Sequence, residues 1–247
     1  MSVLFVSGID TDIGKTYATG IIAKSLMEQG INVITQKLVQ TGVSVIPESG
    51  EMAIADDIVT HRALMGISLQ PCDLDFTTCP YRYLKPASPH LAAKLEEKVL
   101  TFEAITQATQ RLQASYDVVL LEGAGGLLVP ITEQVLTLDY IAEQGYPIIL
   151  VTSGRLGSIN HTLLSLEAIT SRGLQVHSVV YNPIHDTSLN TDTEIALSTM
   201  AFLQSHLTQH YPQTHWLQIP YLDNDSDINS EMGIHHNDAL SVPSNFV

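Results

Sequence analysis

The chain has 247 residues, 45% hydrophobic and 15% charged, with two cysteines and a formal net charge of −15. Those figures describe a globular chain long enough for one large α/β domain or two small ones, and they exclude a disordered one. The acidity argues against a nucleic-acid or anionic-membrane surface, although a phosphate ligand needs only a local positive site. No apolar run reaches membrane-spanning length and no basic leader opens the chain, so a cytoplasmic location is expected.

In chain order, Val3–Ser7 is a short apolar strand and Lys15–Gln29 carries apolar residues at helical spacing, with Gly30 as its stop. Val33–Lys37 is a second strand, which makes the opening a βαβ unit. Glu51–Met65 reads as a helix, and the turn-rich stretch Leu69–Pro89 reads as a surface wrap. Pro89–Val99 and Phe102–Ser115 read as helices. Val118–Leu121 and Ile148–Thr152 are continuous apolar strands, as expected where both sheet faces are covered. Ile159–Ser171 is a helix, Val176–Tyr181 a strand, Ile195–His210 a helix and Trp216–Ile219 a last short strand. The alternation predicts an α/β fold with a doubly wound, mostly parallel sheet and helices on both faces. Residues 1–222 form the predicted domain, and the polar segment 223–247, which includes His235-His236, is expected to be loosely held.

Between the first strand and the first helix lies Gly8–Thr16, GIDTDIGKT, a phosphate-loop pattern with five rather than four residues between its glycines. Free N–H groups at a helix start, together with the helix dipole, attract anions. Gly14 permits close backbone approach, Lys15 supplies a cation for the outer phosphates, and the Thr16 hydroxyl can bind Mg²⁺. Glu122 follows the strand Val118–Leu121 and opens the glycine-rich run Gly123, Ala124, Gly125 and Gly126, where a carboxylate can hold Mg²⁺. Lys37 ends the second strand and can reach the same cleft, with Thr41-Gly42 just beyond. Asp56-Asp57 precede a helix and can act as caps or as metal ligands. Ser88-Pro89 is a helix start. Ser153–His161 leads from strand to helix and can hold a carboxylate. Asn182-Pro183 can match an adenine edge or form a simple turn. Cys72 and Cys79 lack metal-ribbon spacing; a disulfide between them is possible on count alone.

Eight segments, GIDTDIGKT, QKLVQTG, ADD, LKPASPHLAA, LLEGAGGLLVPI, GRLGSINH, YNP and IPYL, resemble the dethiobiotin synthetases, within the P-loop NTPases, in that family's order from Gly8 to Leu222. The resemblance implies an ATP- and Mg²⁺-dependent cyclo-ligase of biotin synthesis. It would convert 7,8-diaminopelargonic acid and CO₂, through a carbamate and its phosphoric anhydride, into dethiobiotin. It further implies Lys15, Lys37 and Thr11 as the catalytic set. Nucleotide binding would fall to Asp12, Ile13, Gly14, Lys15, Thr16, Tyr17, Asp57, Glu122, Gly123, Ala124, Gly125, Asn182, Pro183, Pro220, Tyr221 and Leu222. Thr11, Lys37, Thr41, Leu156, Gly157 and Asn160 would bind the substrate, and Thr16, Asp57 and Glu122 the metal. A homodimer with its site at the subunit interface is implied, Leu156–Asn160 reaching across. Leu38, Thr41, Leu127 and Tyr221 depart from residues common in the family, and none of these changes removes a charge.

Two other readings compete. A partition-type ATPase switch would carry a lysine five residues before Lys15, where this chain has Asp10. An amidotransferase-type synthetase would need a glutaminase domain for which the chain after Tyr181 is too short.

Overall fold

The computed structural model describes residues 1–47, 49–183, 193–220, 242–243 and 245–247. Its elements are β1 (Ser2–Gly8), α1 (Lys15–Glu28), β2 (Val33–Lys37), β3 (Gln40–Thr41), α2 (Asp56–Met65), α3 (Pro71–Leu74), β4 (Arg82–Tyr83), α4 (Pro89–Leu95), α5 (Phe102–Gln113), β5 (Val118–Gly126), α6 (Thr137–Gln144), β6 (Ile148–Ser153), α7 (Ser158–Thr170), β7 (Val176–Asn182), α8 (Thr193–His210) and β8 (His215–Gln218).

Among the described residues, six strands form one parallel sheet in the order β2-β5-β1-β6-β7-β8, and β3 pairs with β4 separately. Strand periodicity explains the layers. Val3 and Phe5 of β1 face one apolar cluster with Val119, Leu121, Ile148 and Leu150, covered by Ile105 of α5, Tyr140 of α6 and Leu166 of α7. Leu4 and Val6 face the other, with Leu120, Ile149 and Val151, covered by Ile22 and Leu26 of α1 and Leu64 of α2. Both faces are dry, which is why these strands read as unbroken apolar runs. Each such buried side chain is worth roughly 1.5–3 kcal/mol.

From β1 the chain passes β5's place to β2, and from β5 it crosses β1 to β6. The crevice at the carboxyl ends of β1 and β5 therefore lies where ligands bind in such sheets. α2 reaches that crevice because Gly20 lets it lie hard against α1. A Cβ at Gly20 would stand 2.6 Å from Leu64 Cδ1.

Several sequence expectations need correction. The helix expected over Glu51–Met65 begins only at Asp56, since Val45 and Met52 form an antiparallel bridge and the Ala53 N–H is spent on the Ser44 carbonyl. Leu69–Pro89 is no surface wrap: Asp73, Thr78, Cys79 and Tyr83 are buried, and Arg82–Tyr83 pairs with Gln40–Thr41. The helix expected to Val99 stops at Leu95. β5 continues past Leu121 to Gly126, and α6 was not foreseen. Both cysteines are free thiols. Residues 223–241 and 244, most of the tail expected to be loosely held, lie outside the described residues. Val242 and Phe246 are buried in the α1 face of the core, and the Phe246 carbonyl meets His177 Nε2 at 2.7 Å. His235 and His236 lie outside the described residues.

Candidate active site

The phosphate-type loop is strained and braced. Asp12 sits at φ +55° and Gly14 at φ +86°. Asn182, at the end of β7, donates from Nδ2 to the Ile13 carbonyl at 2.9 Å, and a Cβ on Gly14 would fall 2.0 Å from that nitrogen. Asp10 pairs with Arg155 and accepts from the Thr11 N–H at 2.7 Å. Lys15 donates to the Asp10 carbonyl at 2.9 Å, which curls the loop over its own lysine. α1 then starts at Lys15 with no side-chain cap and no acid in its first turn. Its free N–H groups make an anion seat.

Across the crevice lies a buried charge cluster. Lys37 Nζ stands 2.5 Å from Asp57 Oδ2 and 2.7 Å from Glu122 Oε1, and donates to the Gly123 carbonyl at 3.0 Å. Thr16 donates from Oγ1 to Glu122 Oε1 at 3.1 Å, and His61 Nε2 lies 2.8 Å from Glu122 Oε2. Burial by itself would raise the Glu122 pKa, but Lys37 and His61 hold it far below the usual carboxylate range. Burial would lower the Lys37 pKa, yet Glu122 and Asp57 carry it above the usual lysine value. Lys15 goes the other way: burial, and then the charge of Lys37, depress it. Lys37 and Glu122 thus form a buried ion pair, and Lys15 and Lys37 face one cleft.

That cleft encloses about 760 Å³. It brings together Thr11, Asp12, Gly14, Lys15, Thr16, Lys37, Thr41, Asp57, Glu122, Ala124 and Gly125. Asp57 is therefore no helix cap; α2 has no side-chain cap, and Asp57 is turned to Lys37. Other expected residues lie outside the lining. Ile13 is buried beneath the loop. The Tyr17 hydroxyl is buried without a partner among the described residues, and burial pushes its pKa up to about 12. Gly123 contributes its carbonyl to Lys37. Asn182 braces the loop from below, Pro183 follows it, and Pro220 follows β8. Leu156, Gly157 and Asn160 are exposed at the start of α7, Gly157 at φ +96° as its N-cap. Beside them runs a second groove of about 370 Å³, which shares Thr11 and Val129 with the cleft. Tyr221 and Leu222 lie outside the described residues.

Sequence reasoning missed two parts of the site. Pro86, Ala87, Ser88 and Pro89, read only as a helix start, form a wall of the cleft. His61 was passed over, although its place four residues after Asp57 puts both on one helix face.

Thr16, Asp57 and Glu122 present hard oxygen donors, a set suited to Mg²⁺. Among the described residues no group of three or more His, Cys, Asp or Glu side chains could cage a metal alone. A cation here would need phosphate oxygens to complete its shell, as Mg²⁺ in nucleotide sites does.

A family model described as an AAA domain matches residues 2–224. A protein from Haemophilus ducreyi called ATP-dependent dethiobiotin synthetase BioD 2 is 51% identical over 215 residues, which is 87% of this chain and 96% of that protein. Its counterpart in Haemophilus influenzae is 58% identical over 180 residues, 73% of this chain and 90% of that one. The ATP-dependent dethiobiotin synthetase BioD of Chlorobaculum tepidum is 49% identical over 84% of this chain and 82% of its own length. A nucleotide loop facing a buried lysine, on a chain this similar to such relatives, places the protein in the ATP-dependent dethiobiotin synthetase family of ligases.

Proposed function

We propose that the chain closes the ureido ring of dethiobiotin from 7,8-diaminopelargonic acid, CO₂ and ATP. The observation that carries this reading is Lys37, an ammonium held by Asp57 and Glu122 on the wall opposite the phosphate loop. One amine of the substrate takes up CO₂ as a carbamate, whose oxygen is a poor leaving group. Transfer of the γ-phosphoryl group to that oxygen makes it a good one, and the second amine then displaces phosphate to close the ring. Such a transfer needs position and charge neutralisation more than covalent help.

The residues divide that work. The loop from Asp12 to Tyr17 cradles the phosphates, and Lys15 reaches the outer ones. Lys37 offsets charge on the carbamate and on the phosphoryl group in flight. Thr11 and Thr41 orient the diamine by hydrogen bonds. Thr16, Asp57 and Glu122 would hold Mg²⁺, which supplies further charge neutralisation. Gly123, Ala124 and Gly125 let backbone approach the nucleotide. Asn182, Pro183 and Pro220 border the adenine, together with Tyr221 and Leu222.

The protein acts as a homodimer in this reading. Leu156, Gly157 and Asn160 reach into the partner's site, where the free N–H groups of α7 meet the substrate carboxylate. In support, Leu156, Leu164 and Leu128 are 78%, 57% and 55% exposed near that helix start and the neighbouring groove. No nucleic acid or membrane takes part, in keeping with the acidity, and the site of action is the cytoplasm. Among the described residues no helix is long and apolar enough to cross a membrane.

The test is ADP release with Mg·ATP and bicarbonate, with and without the diamine, and mass analysis of the product. Diamine-dependent turnover to a product heavier by one carbonyl less two hydrogens is expected. ATP binding without any stimulation by the diamine would sink the substrate assignment.

A further inference from the structure

The reaction just described leaves one buried side chain of the cleft cluster without a task. His61 is fully buried on α2, one turn beyond Asp57. The two residues close on the cluster from one helix face. Asp57 meets Lys37, and His61 meets the far oxygen of Glu122 at 2.8 Å. The near oxygen of Glu122 already takes Lys37 and Thr16. Both ends of one carboxylate are therefore held, which fixes its plane.

Among the described residues His61 Nδ1 has no partner, and it is shut away from solvent. The contact with a carboxylate acceptor assigns an N–H to Nε2. Without His61, Glu122 Oε2 would be a buried carboxylate oxygen with nothing donating to it. It would then gain by swinging toward Lys37 or Thr16.

We propose that His61 is a positioning residue for Glu122. Its Nε2–H locks the carboxylate so that Oε1 faces Thr16 and the cleft, preset for the divalent cation that arrives with the nucleotide. The proposal rests on the nucleotide–metal part of the function proposed above, not on the identity of the diamine. His61 touches neither nucleotide nor reacting atoms; it acts through Glu122. Outer partners of metal-holding side chains typically alter metal affinity by about 10–100-fold.

The test uses Mn²⁺ as the probe, titrated by electron paramagnetic resonance into the full chain with saturating ADP. His61→Leu removes the donor at similar size. It is expected to weaken Mn²⁺ binding by about 10-fold or more, with metal-free ADP affinity unchanged. His61→Gln, whose amide can place an N–H near the Nε2 position, is expected to restore most of the loss. In a Glu122→Gln background His61→Leu should cost nothing further.

Unchanged Mn²⁺ affinity in His61→Leu would overturn the proposal. So would an equal loss of metal-free ADP binding, or a loss that persists undiminished in the Glu122→Gln background. Should His61→Leu not fold, His61→Asn, too short to reach Oε2, must show the same Mn²⁺ loss or the role is refuted. A wild-type chain whose ADP binding is not strengthened by Mn²⁺ would overturn the metal reading and this role together. Absence of diamine turnover would touch neither.

Discussion

His61 and Arg62 are neighbours on α2, and each enters a different buried polar network. Arg62 grips Asp73 with two nitrogens, both at 2.8 Å, and also donates to the Thr35 hydroxyl at 2.7 Å. Asp73 accepts further from the Gln70 N–H and the Thr78 hydroxyl, each at 2.7 Å. Charges and donors match, and the network ties α2 to β2 and to the segment around α3. His61 enters the opposite case. There Lys37, Asp57 and Glu122 face a cleft, Lys15 stands near enough to feel Lys37, and His61 Nδ1 has no partner among the described residues. A matched buried network holds a fold together. One that crowds like charges at a cleft wall is arranged for something that enters.

The contrast is broken most sharply at Arg62. Arg62→Met should cost about 3–5 kcal/mol in denaturant unfolding, because Asp73 is left as a buried, uncompensated charge. Replacing Asp73 with leucine as well should recover much of the loss. The pH dependence has a defined sign. Burial pushes the Asp73 pKa up, but Arg62, the Gln70 N–H and Thr78 hold it below its ordinary value. The stabilisation is thus fully present above the unfolded value of about 4 and is lost as pH falls through the lower folded value. The gap between wild type and Arg62→Met should be wide near neutrality and narrow below about pH 4.

Lys37→Ala tests the cleft network from the functional side. Turnover should fall by about 10²–10³-fold, the usual cost of losing one preorganised charge-stabilising group, while ADP binding to the loop survives. Loss of ADP binding in parallel would mean that Lys37 supports the loop rather than the reaction. The smallest effect belongs to the exposed pair of Lys94 and Glu133 at 2.9 Å. Lys94→Ala should leave both Tm and turnover unchanged, since solvent screens such a pair. A clear fall in Tm would show that burial does not separate the important ion pairs of this protein from the trivial ones.

Legibility in the sequence followed distance along the chain. Gly14, Lys15 and Thr16 could be placed because strand, loop and helix are consecutive. Glu122 could be placed because it follows an apolar strand. Asp57 could be named but not distinguished from a cap, since its partner Lys37 lies on another element. His61 and Glu122 are 61 residues apart, and Asn182 and Ile13 are 169 apart; no local pattern connects such pairs. The segment around Asp73 misled for a related reason. Its polar, turn-forming residues look solvated until Arg62 arrives to satisfy them in the interior.

The sequence by itself determined the layered α/β sheet, the nucleotide loop and the family. Those rest on unbroken apolar runs, on helical spacing and on motifs whose atoms are covalent neighbours. Only the tertiary structure decided which way the side chains of α2 divide, that Asn182 braces the loop, and that Val242 and Phe246 close the core. Each of these is a contact between residues far apart in the chain, and its energy exists only once the sheet has brought them within reach.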